Sequence, residues 1–247
     1  MNLKVGQFQI NAILDILRRE ILLEGNAIID FLFPELCLVC AKRLNPDEHL
    51  LCENCWKNLP RVPFEYSITS EIKSRSNLNC YLSSAFSIFE FSNDLKQIIH
   101  LLKYEHMTKC AVYIVHHISP GFLQAISQRE SDLIIPVPLH IKRKAKRGYN
   151  QSALIGKELS KLLHVPLGEK CLIRTINTKS QTKLDINDRI QNVADAFSVV
   201  DPEAIHDKKI LLVDDVITTG STVSMCAKEI LSSGAKRVDA FSLAKVM

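Results

Sequence analysis

The residues best suited to chemistry lie in ILLVDDVITTGST, residues 210–222. Four apolar residues lead into two adjacent acids, Asp214 and Asp215, and a turn of Thr218, Thr219, Gly220, Ser221 and Thr222 follows. Such a turn in front of a helix can hold a phosphate. Free backbone N–H groups and the helix dipole favour an anion, and the hydroxyls can donate to it as well. The stretch is neither a GxxxxGK[ST] loop nor GxGxxG. Its acids discriminate: two carboxylates repel a polyphosphate lying on them. They suit a vicinal diol, each oxygen accepting from a sugar hydroxyl, with a divalent cation nearby. The implied ligand is a ribose 5-phosphate, with phosphate in the loop and O2 and O3 on the acids. Gly220 is expected to let the backbone approach the phosphate closely. The bland alternative is a strand end with solvated acids and an N-capping threonine.

A second constellation is CLVCAKRLNPDEHLLCENC, in which Cys37 and Cys40 are followed after 11 residues by Cys52 and Cys55. Each CxxC pair can clamp one side of a tetrahedral ion. Thiolates suit zinc, and a closed four-sulfur set does structural work, with no position open for substrate. Two disulfides or a redox CxxC are the competing readings, and a cytosolic chain disfavours both. His49, between the pairs, is an alternative ligand. Cys80, Cys110, Cys171 and Cys226 are scattered among apolar residues and read as small core side chains.

A third is the run Lys142, Arg143, Lys144, Lys146 and Arg147, five bases in six positions. It reads either as a solvated charged loop or as a contact for pyrophosphate or a nucleic-acid backbone. Tyr149 is the one aromatic nearby, which points away from base-specific reading and leaves single-strand tracking open.

These residues need an α/β frame to bring them together. YLSSAFSIFEF (81–91) alternates like a strand, and the following SNDLKQIIHLLKY repeats its apolar residues at helical spacing. DLIIPVP (132–138) is a buried strand ended by prolines, and NQSALIGKELSKLL is helical. KKILLVDD is a second buried strand with GSTVSMCAKEILSSG as its helix, and RVDAFSLAKV closes with another strand. Buried strands alternating with helices give a mostly parallel sheet, whose ligands bind beyond the carboxyl ends of its strands.

The bulk figures agree with this frame. A chain of 247 residues, 47% apolar and 23% charged with net charge +4, has enough apolar matter for one sizeable core and a small appendage. Neither low-complexity tracts nor internal repeats interrupt it. No apolar run approaches the ~20 residues that span a bilayer. Asp15, Arg18, Arg19 and Glu20 exclude a signal peptide, so the expected compartment is the cytoplasm. Ile13, Ile16, Leu17 and Ile21 describe a helix that packs on the domain or a partner. Three segments result: an amphipathic helical segment 1–34, a four-cysteine zinc unit 35–62 and an α/β domain 63–247.

The signature 210–222 resembles the phosphoribosyl-diphosphate (PRPP) motif of type I phosphoribosyltransferases, and the chain as a whole resembles the ComF family. The segments that carry the likeness are the cysteine knuckles, IIHLLKY, IIPVPLHIKRKAKRGYNQSALIGKELSKLL and RTINTKSQTKLDINDRIQNVADAF. The resemblance implies the type I phosphoribosyltransferase fold with a small N-terminal zinc unit, and PRPP bound with Mg²⁺. It further implies a pyrophosphate loop at Val137, Pro138 and Leu139 offering backbone groups. A loop over 174–196 would carry the basic candidates Arg174, Lys179 and Arg189. Some members carry two knuckle sets; four clustered cysteines here imply one ion. Three functions follow: a PRPP-binding protein of DNA uptake handling single-stranded DNA with competence proteins, a salvage phosphoribosyltransferase with an unnamed acceptor, or a PRPP-sensing regulator. Type I relatives are often dimers.

Overall fold

The computed structural model describes residues 34–63, 66–76, 79–104, 109–176 and 196–246. The N-terminal helix expected before residue 34, and Lys179 and Arg189, lie outside these residues. The chain divides into two compact units, one ending at Lys57 and the other Asn58–Met247. This division falls earlier than the boundary after residue 62 read from sequence. Residues 60–62 run beside the first strand of the body: Glu90 N–H donates to Pro60 O and Val62 N–H to Ile88 O, each at 2.9 Å.

In the first unit, residues 35–44 form a tight knuckle. Cys37 N–H bonds Lys42 O (2.8 Å), and Ala41, at φ 57°, returns its N–H to Cys37 O (2.9 Å). The second cysteine pair opens helix α1 (Glu53–Asn58). Glu48 caps that helix, accepting from the N–H groups of Glu53 (2.7 Å) and Asn45 (2.8 Å).

The second unit has the fold class expected of it, an α/β body whose main sheet is parallel and flanked by helices. Its elements are α2 (Thr69–Ser76), β1 (Ala85–Glu90), α3 (Asn93–Tyr104), α4 (Lys109–His116), α5 (Pro120–Ser127), β2 (Leu133–Pro136), α6 (Ile141–Arg147) and α7 (Gln151–Leu163). There follow β3 (Leu172–Arg174), β4 (Phe197–Val199), β5 (Lys209–Ile217), α8 (Ser221–Ser232) and β6 (Arg237–Lys245). Four parallel strands lie in the order β1-β6-β5-β2, and β3 pairs antiparallel with β4.

Because side chains alternate along a strand, β5 feeds two cores. Ile210 and Leu212 pack with Leu133 and Ile135 of β2 and with Val223, Cys226 and Ile230 of α8. The opposite face meets α7, which packs on β2 and β5. Residues 210–213 are all fully buried, the mark of a strand covered on both sides.

The sequence reading missed several short elements: α2, α4, α5, β3 and β4. The basic run, read as a loop or contact segment, is the helix α6. His140 caps its start, accepting from Lys142 N–H (3.2 Å), and Gly148, at φ 82°, ends it. Three of its bases sit in the last turn, where the helix dipole favours cations.

Candidate functional site

The expected site residues gather at the carboxyl ends of β2 and β5. β5 continues through Ile217, so the acids lie inside the strand rather than at its last residues. Consecutive positions put Asp214 and Asp215 on opposite faces. They are not equivalent. Asp214 is oriented from both sides, accepting from Ser152 Oγ (2.9 Å) and from the N–H of Asp215 (2.8 Å). Asp215 is the more enclosed, 8% exposed.

After β5 the chain turns through 218–220 into α8. Gly220 holds the N-cap position at φ 77°, without a side chain to accept from the helix's first N–H groups. Serine, threonine or aspartate would normally do so. Thr219 and Ser221 share a hydroxyl–hydroxyl hydrogen bond of 2.8 Å across the turn. Ser221 N–H reaches Thr219 Oγ1 at 3.4 Å, so the helix start is ringed by hydroxyls but lacks a cap from the N-cap residue itself. The reason for the glycine differs from the expected one. A Cβ at Gly220 would lie 2.5 Å from Ile72 Cγ2 of α2, so the glycine admits a neighbouring helix, whatever the loop binds.

The segment after β2 is less open to a ligand than expected. Val137 donates its N–H to Val213 O (2.8 Å), and its carbonyl accepts from Asn150 Nδ2 (3.0 Å). Pro138 has no N–H. Of the backbone groups expected to be on offer, both of Val137's are therefore engaged within the fold and Pro138 has only a carbonyl.

The basic candidates separate. Arg174 ends β3 with its guanidinium 5.3 Å from the Phe197 ring centroid. Burial holds its pKa below the usual arginine value and the charge of Arg143 adds to that, while Cys226 and Asp214 act the other way. Arg143 and Arg174 thus share a neighbourhood with Asp214. On α6, positions four apart share a face. Arg143 and Arg147 are half-buried, whereas Lys142 and Lys146 are exposed. Lys144 reaches Glu169 at 3.9 Å.

Residues 150–152 do more than begin the helix expected there. Asn150 caps α7, accepting from Ser152 N–H (3.1 Å), and fixes Val137; Ser152 orients Asp214. An asparagine at the start of a helical pattern was the available signal. Gln151 is 1% exposed, and its Nε2 has no hydrogen-bond partner among the described residues.

In the first unit, the ligand atoms of Cys37, Cys40, Cys52 and Cys55 lie within 4.8 Å of one another, with Cys40 Sγ 3.7 Å from Cys52 Sγ. A zinc tetrahedron with ~2.3 Å bonds has sulfur–sulfur edges near ~3.8 Å, and a disulfide needs ~2.0 Å. All eight cysteines are free thiols, so the set fits a metal and not two disulfides. His49 is turned away, its Nδ1 3.7 Å from Glu35 in an exposed contact. Burial opposes ionisation of Cys37, yet the backbone N–H groups of Cys40, Cys52 and Val39 bring its pKa down to about 6. Burial and the three neighbouring thiols push Cys55 strongly up. Thiolates packed this closely repel one another unless a cation sits among them. Of the scattered cysteines, Cys110, Cys171 and Cys226 are buried, as expected of core side chains, and Cys80 is partly so.

Residues 28–65 match the family model of a double zinc ribbon domain. Only the four ligating cysteines fall inside that stretch, one set rather than two. Competence protein F of Haemophilus influenzae is 27% identical over 220 residues, 85% of this chain and 96% of that protein. The ComF resemblance holds over most of the chain. A second ComF-like relative, the DNA utilization protein YhgH of Escherichia coli K12, is 26% identical over 231 residues, 86% of this chain and 91% of that one. Among solved structures, an adenine phosphoribosyltransferase from Thermoanaerobacter pseudethanolicus aligns with 62% of this chain and 86% of its own, at 16% identity and a TM-score of 0.37.

Proposed function

We propose that this ComF-like protein binds PRPP or a related phosphoribosyl ligand with Mg²⁺, and acts in the cytoplasm on incoming single-stranded DNA. The observation that carries the ligand is the succession of Asp214 and Asp215 in β5 and the uncapped start of α8 behind Gly220. The loop's N–H groups and hydroxyls take the 5-phosphate, and the acids take the ribose hydroxyls, directly or through Mg²⁺, which carboxylate oxygens suit. Ser152 holds Asp214 in orientation. Arg143 and Arg174 supply positive charge beside that acid, where pyrophosphate would lie. Gln151, next in the chain to Ser152, brings a buried amide donor without a partner among the described residues. The DNA role is supported by the names of the relatives, one a competence protein and one a DNA utilization protein. The exposed Lys142 and Lys146 on α6 fit contact with a phosphate backbone.

Asp215→Asn tests the ligand. It keeps the shape and removes a charge, and should weaken PRPP far more than inorganic phosphate, which touches the loop alone. Hydrogen bonds to charged groups are worth about 1.5–3 kcal/mol, so a loss of roughly tenfold or more is expected by calorimetric titration. Unchanged PRPP affinity would overturn the assignment. Pyrophosphate release from PRPP and Mg²⁺ with a panel of bases decides between a binding protein and a transferase.

A further inference from the structure

The helix α2 crosses the end of the sheet from which the phosphate loop projects, and two contacts fix it there. Ile72, 2% exposed, presses on Gly220 so closely that a Cβ there would come within 2.7 Å of two of its carbon atoms. One residue earlier, Glu71 Oε1 meets Lys245 Nζ at 2.8 Å. Lys245 is the last residue of the inner strand β6, and its side chain is 3% exposed. Its ammonium also lies 4.9 Å from the centroid of Tyr66, just upstream of α2. A narrow cleft between α2 and the strand ends is lined by Glu71, Ile72, Ile217, Thr218 and Lys245, so the ion pair and the first loop threonine share one wall.

An eight-residue helix has little stability of its own. Its entry is tied to β1, with Ile68 N–H donating to Ala85 O (2.8 Å) and Ala85 N–H to Ser67 Oγ (3.2 Å), while in the helix itself Ile72 is the buried apolar side chain among the described residues. The ammonium of this pair is buried and the carboxylate only partly so, at 21% exposure, and an ion pair taken out of water is a poor source of net stability: apolar residues of like shape usually serve as well or better. What a buried pair does supply is register, because a misplaced helix would strand a charge out of water. Ile217 and Lys245 are paired across β5 and β6, so the lysine is anchored on the strand position directly before the loop.

We propose, on the assignment of 218–222 as the phosphate cradle, that Lys245 and Glu71 are positioning residues for it. Their ion pair latches α2 across the strand ends, and α2, through Ile72, holds the Gly220 turn in its binding shape. The phosphate side of the site is then governed by a helix remote in sequence from the loop it shapes.

The test compares Lys245→Met, Glu71→Gln and the double variant. Glu71→Gln leaves the buried Lys245 ammonium without its carboxylate and should destabilise the fold, whereas Lys245→Met removes the charge from a carboxylate that is 21% exposed and should cost less. The double variant removes both charges and should regain most of the unfolding midpoint. Hydrogen–deuterium exchange of the ligand-free protein should nevertheless be about fivefold or more faster at 69–76 and 218–222 in the double variant, and its dissociation constant for inorganic phosphate should rise by a similar factor. A purely structural pair would have stability and phosphate affinity recover together, which overturns the proposal. Wild-type exchange at 218–222 in the double variant also overturns it. If the wild-type protein binds no phosphate at all, the cradle assignment fails, while the exchange measurement still decides whether α2 controls the loop.

Discussion

Gly220 shows how one residue serves packing and a candidate site together. Its φ of 77° lies where a Cβ is strained, and the space a Cβ would fill is held by Ile72. Gly220→Ala therefore meets two penalties, a left-handed backbone at about 1–2 kcal/mol and overpacking at about 1–3 kcal/mol. Urea unfolding should show a loss of roughly 2–5 kcal/mol. Ile72→Ala in the same chain should relieve the overpacking and leave the backbone strain, so the two changes should be less costly together than their sum. Strict additivity would mean that Ile72 is not the obstructing group. The acids are likewise individual: Ser152 holds Asp214, while Asp215 is the more deeply enclosed.

At the scale of the element, α6 divides its charges between two tasks. Lys142 and Lys146 face solvent, and Arg143 is half-buried, its charge felt at Arg174. Lys142→Ser with Lys146→Ser should flatten the salt dependence of single-stranded DNA binding by about 0.7 per lost phosphate contact and leave PRPP affinity within twofold or so. Arg143→Ser should do the reverse. Titration of both ligands over a salt series checks it, and an equal effect of both variants on both ligands would dissolve the division. The long elements were legible in the sequence because their periodicity was: β5, α8, β6, α7 and α3 all begin and end within two residues or so of the expected positions. The acids and the hydroxyl turn were legible for the same reason, being the punctuation between a buried strand and an amphipathic helix. What could not be read was set by tertiary contact. α2 has no strong apolar stripe and owes its place to Ile72 and Glu71. α6 has five bases and no buried residue, so no hydrophobic period marks it; its signals were the caps, His140 and Gly148. Val137 was expected to offer backbone groups to pyrophosphate, but its N–H bonds Val213 and its carbonyl Asn150.

For the molecule as a whole, the two units draw on different sources of stability. Among the described residues of the first, the buried ones are chiefly Cys37, Cys52, Cys55, Leu44 and Leu51. The second has a sheet covered on both faces. Cys52→Ser should release one zinc per chain and unfold the first unit, since structural zinc contributes folding free energy directly. The body should keep its own unfolding transition. Elemental analysis together with calorimetry reads both, and purified, reduced wild-type protein without metal would refute the assignment. The strand order β1-β6-β5-β2 has a further consequence, during synthesis. The inner strands are the last two made, and Ser87 of β1 waits for Ser242, 155 residues later. At about 5–20 residues per second, β1 leaves the ribosome roughly 8–30 s before its neighbour exists. A nascent chain must shelter β1 for that whole interval, and β2 until its partner β5 is made, Leu133 waiting for Ile210. A nonsense codon at Arg237 should therefore be nearly as damaging as one at the start of the body, giving an insoluble or rapidly degraded product despite an intact phosphate loop. Pulse-labelling of such a truncated chain, with and without chaperone depletion, would show whether the last strand is what ends the vulnerable period.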